Sequence, residues 1–342
     1  MKEGIDHLGL WTWGGRVFNW QRYLDHMSRS GLDRVVLWHS KVPANARAIL
    51  DYAHRLGIRV WWGFNWSWNS PVCLNREADA AEWRDKVLKI IDDEYAPLGP
   101  DGICFQVGGT EFGGACRLHC ETCRKAAEEG VGPLFVKFAG HIIEAVRKAH
   151  PGLYLSAGVH LGGVHRSFES LKSLDPGVNI MWEDLPGPGR HIEVPFAYDW
   201  DPDESAVTPA TLDMVERMCS LRGDAEDVAF VIKGFPCHWG GHDPMLLEEF
   251  DLKALAGVYQ GKWDQAVRYC EKRLADALAV FRVIARSPAR SKTVLLLVEH
   301  GLWEYRRYYP AMLIFEALRN PFREPGEVIA AAGGIETLQG EP

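Results

Sequence analysis

The chain has 342 residues, 47% of them hydrophobic, and a formal net charge of −8. That is enough apolar material for one large α/β unit, and the acidic balance speaks against a nucleic-acid or membrane-surface partner, each of which needs a basic face. No apolar run is long enough to span a bilayer, and the first residues, MKEGIDHLGLWTWGG, lack the apolar stretch and cleavage site of a signal peptide, so a cytoplasmic location is expected.

Short apolar runs alternate with longer amphipathic segments from one end to the other. The runs predict eight strands, at Gly9–Trp13, Arg34–Trp38, Arg59–Phe64, Gly102–Val107, Tyr154–Val159, Val178–Trp182, Val228–Ile232 and Thr293–Val298. Helical patterns fill the intervals at Trp20–Ser30, Ala44–Leu56, Ala78–Glu94, Leu134–His150, Ser167–Leu174, Thr211–Leu221 and Leu252–Ser287, and a last one spans Tyr308–Arg319. Asp33 and Gly57 precede strands, whereas Pro151-Gly152 and Asp175-Pro176-Gly177 stop helices. The runs lack clean period-2 alternation, as strands covered on both faces do. Eight strand–helix units in sequence predict an α/β fold of the (β/α)8 TIM-barrel type over residues 1–320, with 321–342 as a C-terminal tail.

Three connections exceed what such a barrel needs: Asn69–Glu77, Gly108–Gly132 and Leu185–Thr208. All follow strands, on the face where barrel enzymes build their sites. Polar and aromatic groups gather at the same strand ends. They are Trp13; His39; Asn65 and Trp66; Glu111; His160; Trp182, Glu183 and Asp184; Lys233 and Trp239; and Glu299, with Trp303 just beyond. A scaffold barrel has no need of such a ring. Glu111 and Glu183 or Asp184 stand two strands apart, a placement suited to carboxylates flanking a glycosidic bond, one as general acid and one as base or nucleophile. The chain's 14 tryptophans supply the flat apolar faces on which sugar rings stack. Trp13, Trp66, Trp182, Trp239 and Trp303 are the expected sugar walls, and His39, Asn65, His160, Lys233 and Glu299 the expected groups for hydroxyls or a carboxylate.

With Val107-Gly108-Gly109-Thr110-Glu111 at the fourth strand and Trp182-Glu183-Asp184 at the sixth, the chain resembles glycoside hydrolases of families 20 and 67, the hexosaminidases and α-glucuronidases. The resemblance implies an exo-acting glycosidase for a small glycoside or oligosaccharide end, with a uronic acid or amino sugar as the expected residue. In family 20 the fourth strand ends in a Gly-Gly-Asp-Glu-like motif, whose Glu is the general acid and whose Asp steadies the substrate's acetamido nucleophile. Glu111 matches that acid, but Thr110 stands where the Asp would be, which is at odds with substrate-assisted chemistry. Family 67 pairs a strand-four acid with carboxylates on later strands, a pattern that fits Glu111 with Glu183 or Asp184 and makes Lys233 a partner for a uronate.

Cys116, His119, Cys120 and Cys123 follow Glu111 closely. On one straight helix the outer two would be roughly 10 Å apart, too far for one tetrahedral ion whose sulfur ligands lie at about 2.3 Å. The segment must turn, or another loop must contribute, and Cys73 is the candidate. A structural zinc bracing the loop is expected, and no organic cofactor. Other readings stay open on the same residues. One is a metal-dependent sugar isomerase or hydrolase using His39, His160, His238, His300, Glu183 and Glu299; another is an iron–sulfur radical enzyme on the C-x3-C-x2-C spacing. A non-catalytic carbohydrate-binding barrel is the last.

Overall fold

The structure is a computed structural model that describes residues 3–13, 17, 19–39, 41–65, 73, 76–106, 120–129, 132–159, 168–183, 185, 207–225, 227–232, 271–297, 302–305 and 309–336. Eight parallel strands close a barrel in chain order. They are β1 (His7–Trp13), β2 (Arg34–Trp38), β3 (Arg59–Asn65), β4 (Gly102–Gln106), β5 (Tyr154–Val159), β6 (Asn179–Trp182), β7 (Asp227–Ile232) and β8 (Ser291–Leu297), and β8 pairs back to β1. The fold is the expected (β/α)8 barrel.

The described helices are α1 (Trp20–Arg29), α2 (Ala46–Arg55), α3 (Glu77–Ile90), α4 (Glu121–Glu129), α5 (Gly132–Ala149), α6 (Pro209–Cys219), α7 (271–286), α8 (Leu302–Tyr305), α9 (Tyr309–Arg319) and α10 (Pro325–Glu336). Their ends follow local chemistry. Asn19 caps α1 by accepting the Arg22 N–H at 2.9 Å, and Thr208 with Thr211 forms a reciprocal capping box at α6. Gly31 and Gly57 reverse the chain after α1 and α2 at φ of +65° and +74°, a conformation costly for any side chain with a Cβ. No described helix is long and apolar enough to cross a membrane.

Two expectations change. The segment Ser167–Leu174 holds a six-residue 3₁₀ turn, Phe168–Ser173, since Asp175-Pro176-Gly177 leaves no room for a longer helix. Within the expected tail, α10 is a packed helix: Pro325 starts it, and Val328 and Ala332 are buried. Its Ala/Gly-rich sequence carries no strong amphipathic stripe, which hid it.

Side chains of the strands separate into two layers. Leu10, Val35, Leu37, Val60, Ile103, Leu155, Val228 and Val294 face the helices, within the larger apolar cluster. Trp11, Val36, Trp38, Trp61, Cys104, Met181, Ala229, Val231, Leu295 and Leu297 fill the barrel's interior. Large rings there are matched by glycines on neighbouring strands. A Cβ on Gly63 would meet the Trp38 ring at 2.5 Å, and one on Gly102 would meet Trp61 and Tyr154 at 3.0–3.2 Å. Trp11 stacks on Trp38 with centroids 5.7 Å apart, and Trp61 on Tyr154 at 5.1 Å.

The end of the barrel where the strands start carries a polar net. Ser156 Oγ donates to Asn179 Oδ1 at 2.8 Å, Asn179 Nδ2 donates to the Asp227 carbonyl at 2.9 Å, and Arg34 lies over the Trp61 ring. Burial lowers the pKa of Arg34 and raises that of Tyr154 above its ordinary value.

Candidate functional site at the barrel mouth

The interior column of β6 runs Asn179, Met181 and then Glu183, each two residues on from the last. Glu183 is fully buried (0% exposed) although it carries a carboxylate. Its place is set by backbone pairing that outlasts the strand: Glu183 N–H donates to the Val159 carbonyl at 2.9 Å, and Leu185 N–H donates to the Val231 carbonyl at 3.3 Å. The residue is thereby held between β5 and β7. Its carboxylate fills the space above Gly158 on β5, where a Cβ would lie 2.2 Å from Glu183 Oε1 and 3.3 Å from the Phe105 carbonyl. Gly158 is a site residue that the sequence reasoning missed; the signal available was a lone glycine inside an apolar strand, which marks close approach of another group.

Gly158 is aligned with Gln106 on β4, and Gln106 with Asn65 on β3. That register is a backbone row across three strands, and it ends beside Glu183. His39 follows β2. Its N–H donates to the Gly63 carbonyl at 2.9 Å, and its Nδ1 accepts the Lys41 N–H at 3.2 Å. An accepting Nδ1 leaves the proton of the neutral ring on Nε2, which makes that atom a donor.

Two expected sugar walls are corrected. Trp182 faces away from the mouth: fully buried in the helix-side layer, it meets the Phe168 ring edge-on at 6.2 Å. Trp303 is buried among the helices, with its indole N–H donating to the Tyr23 carbonyl at 3.1 Å and its ring against Phe315. Both serve packing. Trp13 ends β1, but its side chain, like that of Asn65, lies outside what is described. Glu111, Asp184, Trp66, His160, Lys233, Trp239 and Glu299 lie outside the described residues, as do Cys116 and His119 and the alternative ligands His238 and His300.

A second constellation sits at the same end of the barrel. Cys73, from the connection after β3, meets Cys120 and Cys123, from the connection after β4 and the first turn of α4. Sγ of Cys73 is 3.5 Å from that of Cys120 and 3.9 Å from that of Cys123. All three sulfurs lie within 4.8 Å of one another, and the group is able to hold a metal ion. Cys73 and Cys123 are buried and Cys120 is half-buried.

Neither a protein-family model nor a curated protein matches the sequence. Solved structures do match its fold, and glycoside hydrolases are among them. The family 5 enzyme ZgEngAGH5_4 matches with a TM-score of 0.53 at 14% identity, over 91% of this chain and 95% of that one. A broad specificity endoglucanase of the same family from Clostridium acetobutylicum matches at 0.51 and 11%, over 95% and 96%. CpGH84B, of family 84, matches at 0.53 and 9%; there the chain covers 99% of its own length but 52% of the other's. At these identities the likeness is one of fold: this is a TIM barrel of the kind glycoside hydrolases use. The named structures belong to families 5 and 84, so the resemblance to families 20 and 67 rests on the two sequence motifs alone.

Proposed function

We propose that the protein is a glycoside hydrolase that cleaves by paired carboxylates at the mouth of the barrel. The observation that carries this reading is Glu183, a fully buried carboxylate at the open end of β6, positioned by backbone hydrogen bonds on both sides and given its space by Gly158. A carboxylate enclosed in that way serves no solvated surface role. In the reaction, Glu183 is the base or nucleophile, with Asp184 as its alternate, and Glu111 is the general acid that protonates the departing glycosidic oxygen. A base draws a proton from water on the far face of the sugar, and a nucleophile bonds the anomeric carbon directly; the stereochemistry of the product distinguishes them. His39 Nε2–H is a donor suited to a sugar hydroxyl. Similar barrels include an endoglucanase and an enzyme targeting pectin rhamnogalacturonan II, which supports a carbohydrate substrate. The exo mode, and a uronic acid or amino sugar at the cleaved end, follow from the motif resemblance. The cysteine site has no part in these proton transfers.

The test is a panel of nitrophenyl glycosides, uronides and N-acetylhexosaminides included. One of them should turn over, and Glu183→Gln and Glu111→Gln should each lower kcat at least 10²-fold on it while the protein still binds the sugar. Silence across the panel and on natural oligosaccharides, or full activity in either variant, refutes the reading.

A further inference from the structure

We propose that Cys73, Cys120 and Cys123 hold a zinc ion that staples the connection after β3 to the start of α4. The inference is independent of the glycosidase reading, since it rests on the geometry of three sulfurs alone.

Spacing selects the kind of group. Two sulfurs bound at about 2.3 Å to one tetrahedral ion lie roughly 3.8 Å apart, and the two separations that Cys73 makes are 3.5 and 3.9 Å. A disulfide needs its sulfurs at about 2.05 Å, so neither of these pairs is one. An iron–sulfur cube binds each cysteine to a different iron, which sets the sulfurs further apart than donors sharing one ion. All three sulfurs lie within 4.8 Å of one another, close enough to share one ion.

The surroundings favour thiolate over thiol. Cys123 N–H donates to Cys120 Sγ at 3.4 Å, closing the C-x2-C turn on the sulfur. Both cysteines stand at the N-terminal end of α4, where the helix's partial positive charge favours an anionic group. Cys73 is fixed from its own side: its N–H donates to Asp79 Oδ2 at 3.3 Å, and its carbonyl accepts the Arg76 N–H at 2.8 Å, both at the entry to α3. Thiolate donors at these separations suit zinc among the common divalent ions. The ion joins residues 47 and 50 positions apart in the chain, on the connections after β3 and β4.

The test is elemental analysis of the intact protein purified without chelators. About one zinc per chain is expected, falling to background in Cys73→Ser, Cys120→Ser and Cys123→Ser and retained in Cys219→Ser. Cobalt exchanged into the wild-type protein should show the intense thiolate charge-transfer and tetrahedral d–d bands; this readout decides the matter if the serine variants fail to fold. Chelation should lower the melting temperature of the wild type and leave that of a folded Cys73→Ser variant unmoved. A metal-replete preparation with no zinc and no cobalt–thiolate band overturns the proposal. So does zinc retained in Cys73→Ser, or an iron–sulfur absorption in anaerobically prepared protein.

Discussion

Replacing Gly158 by Ala puts one methyl group where the Glu183 carboxylate lies. The new Cβ would sit 2.2 Å from Oε1, against an ordinary contact of 3.4 Å or more, so the carboxylate must retreat by about 1 Å. The other near neighbour, the Phe105 carbonyl at 3.3 Å, belongs to the barrel wall and has little freedom to yield. The side chain therefore takes the displacement. A misplacement of about 1 Å at a reacting group costs on the order of 10²-fold in rate, whereas one added methyl in a packed interior costs about 1–3 kcal/mol in stability. The expected variant is folded, with a depressed melting temperature, and has lost about 10²-fold in kcat with a smaller change in KM. The assay is steady-state hydrolysis of the substrate found by the glycoside panel, with circular dichroism as the check on folding. A folded Gly158→Ala enzyme with wild-type kcat would show that the position of Glu183 does not matter to the chemistry, and the catalytic assignment would fall with it.

Trp182→Phe should leave KM and kcat within a few-fold of wild type, because the indole packs on Phe168 in the helix-side layer. Trp182→Ala should instead lose about 3–5 kcal/mol of stability, and a folded Trp182→Phe protein with tenfold weaker sugar binding would contradict this placement. Stability should also fall steeply in alkali. Burial raises the pKa of Tyr95 and Tyr154 above the ordinary 10.0, so above that pH the unfolded chain gives up protons that the folded chain keeps, and unfolding gains. Two such phenols cost about 2.7 kcal/mol per pH unit while both titrate only when unfolded. Urea midpoints measured upward from about pH 10 should show that slope, and Tyr154→Phe should roughly halve it; a flat profile would refute the burial argument.

The strands were legible because each apolar run is bounded by a residue that breaks it. Asp33, Gly57 and Pro151-Gly152 mark joints that the barrel repeats in three dimensions. Facing was not legible. In a strand covered on both sides, Met181 and Trp182 are equally apolar, and nothing in period 2 says which looks inward. That is why Trp182 read as a sugar wall, whereas Glu183, a charge in an apolar context, announced the mouth. Trp303 misled for a related reason: its indole N–H is satisfied by the Tyr23 carbonyl, some 280 residues earlier in the chain. Gly158 carried a readable signal, a glycine amid Leu155, Ser156, Ala157 and Val159, but its meaning depends on a carboxylate one strand away.

Two means of fixing a side chain meet at this mouth. After β6 the chain goes on hydrogen bonding to both neighbouring strands, so Glu183 inherits the rigidity of the sheet itself. Along β3 and β4 the described pairing runs to Asn65 and Gln106. The three sulfurs stand after those two strands, joining one connection to the other. A barrel with long connections faces a general conflict: connections long enough to reach a ligand are costly to order. Here the sheet orders one carboxylate by extending its own pairing. The three cysteines instead join two connections to each other, sulfur to sulfur, with no strand between them.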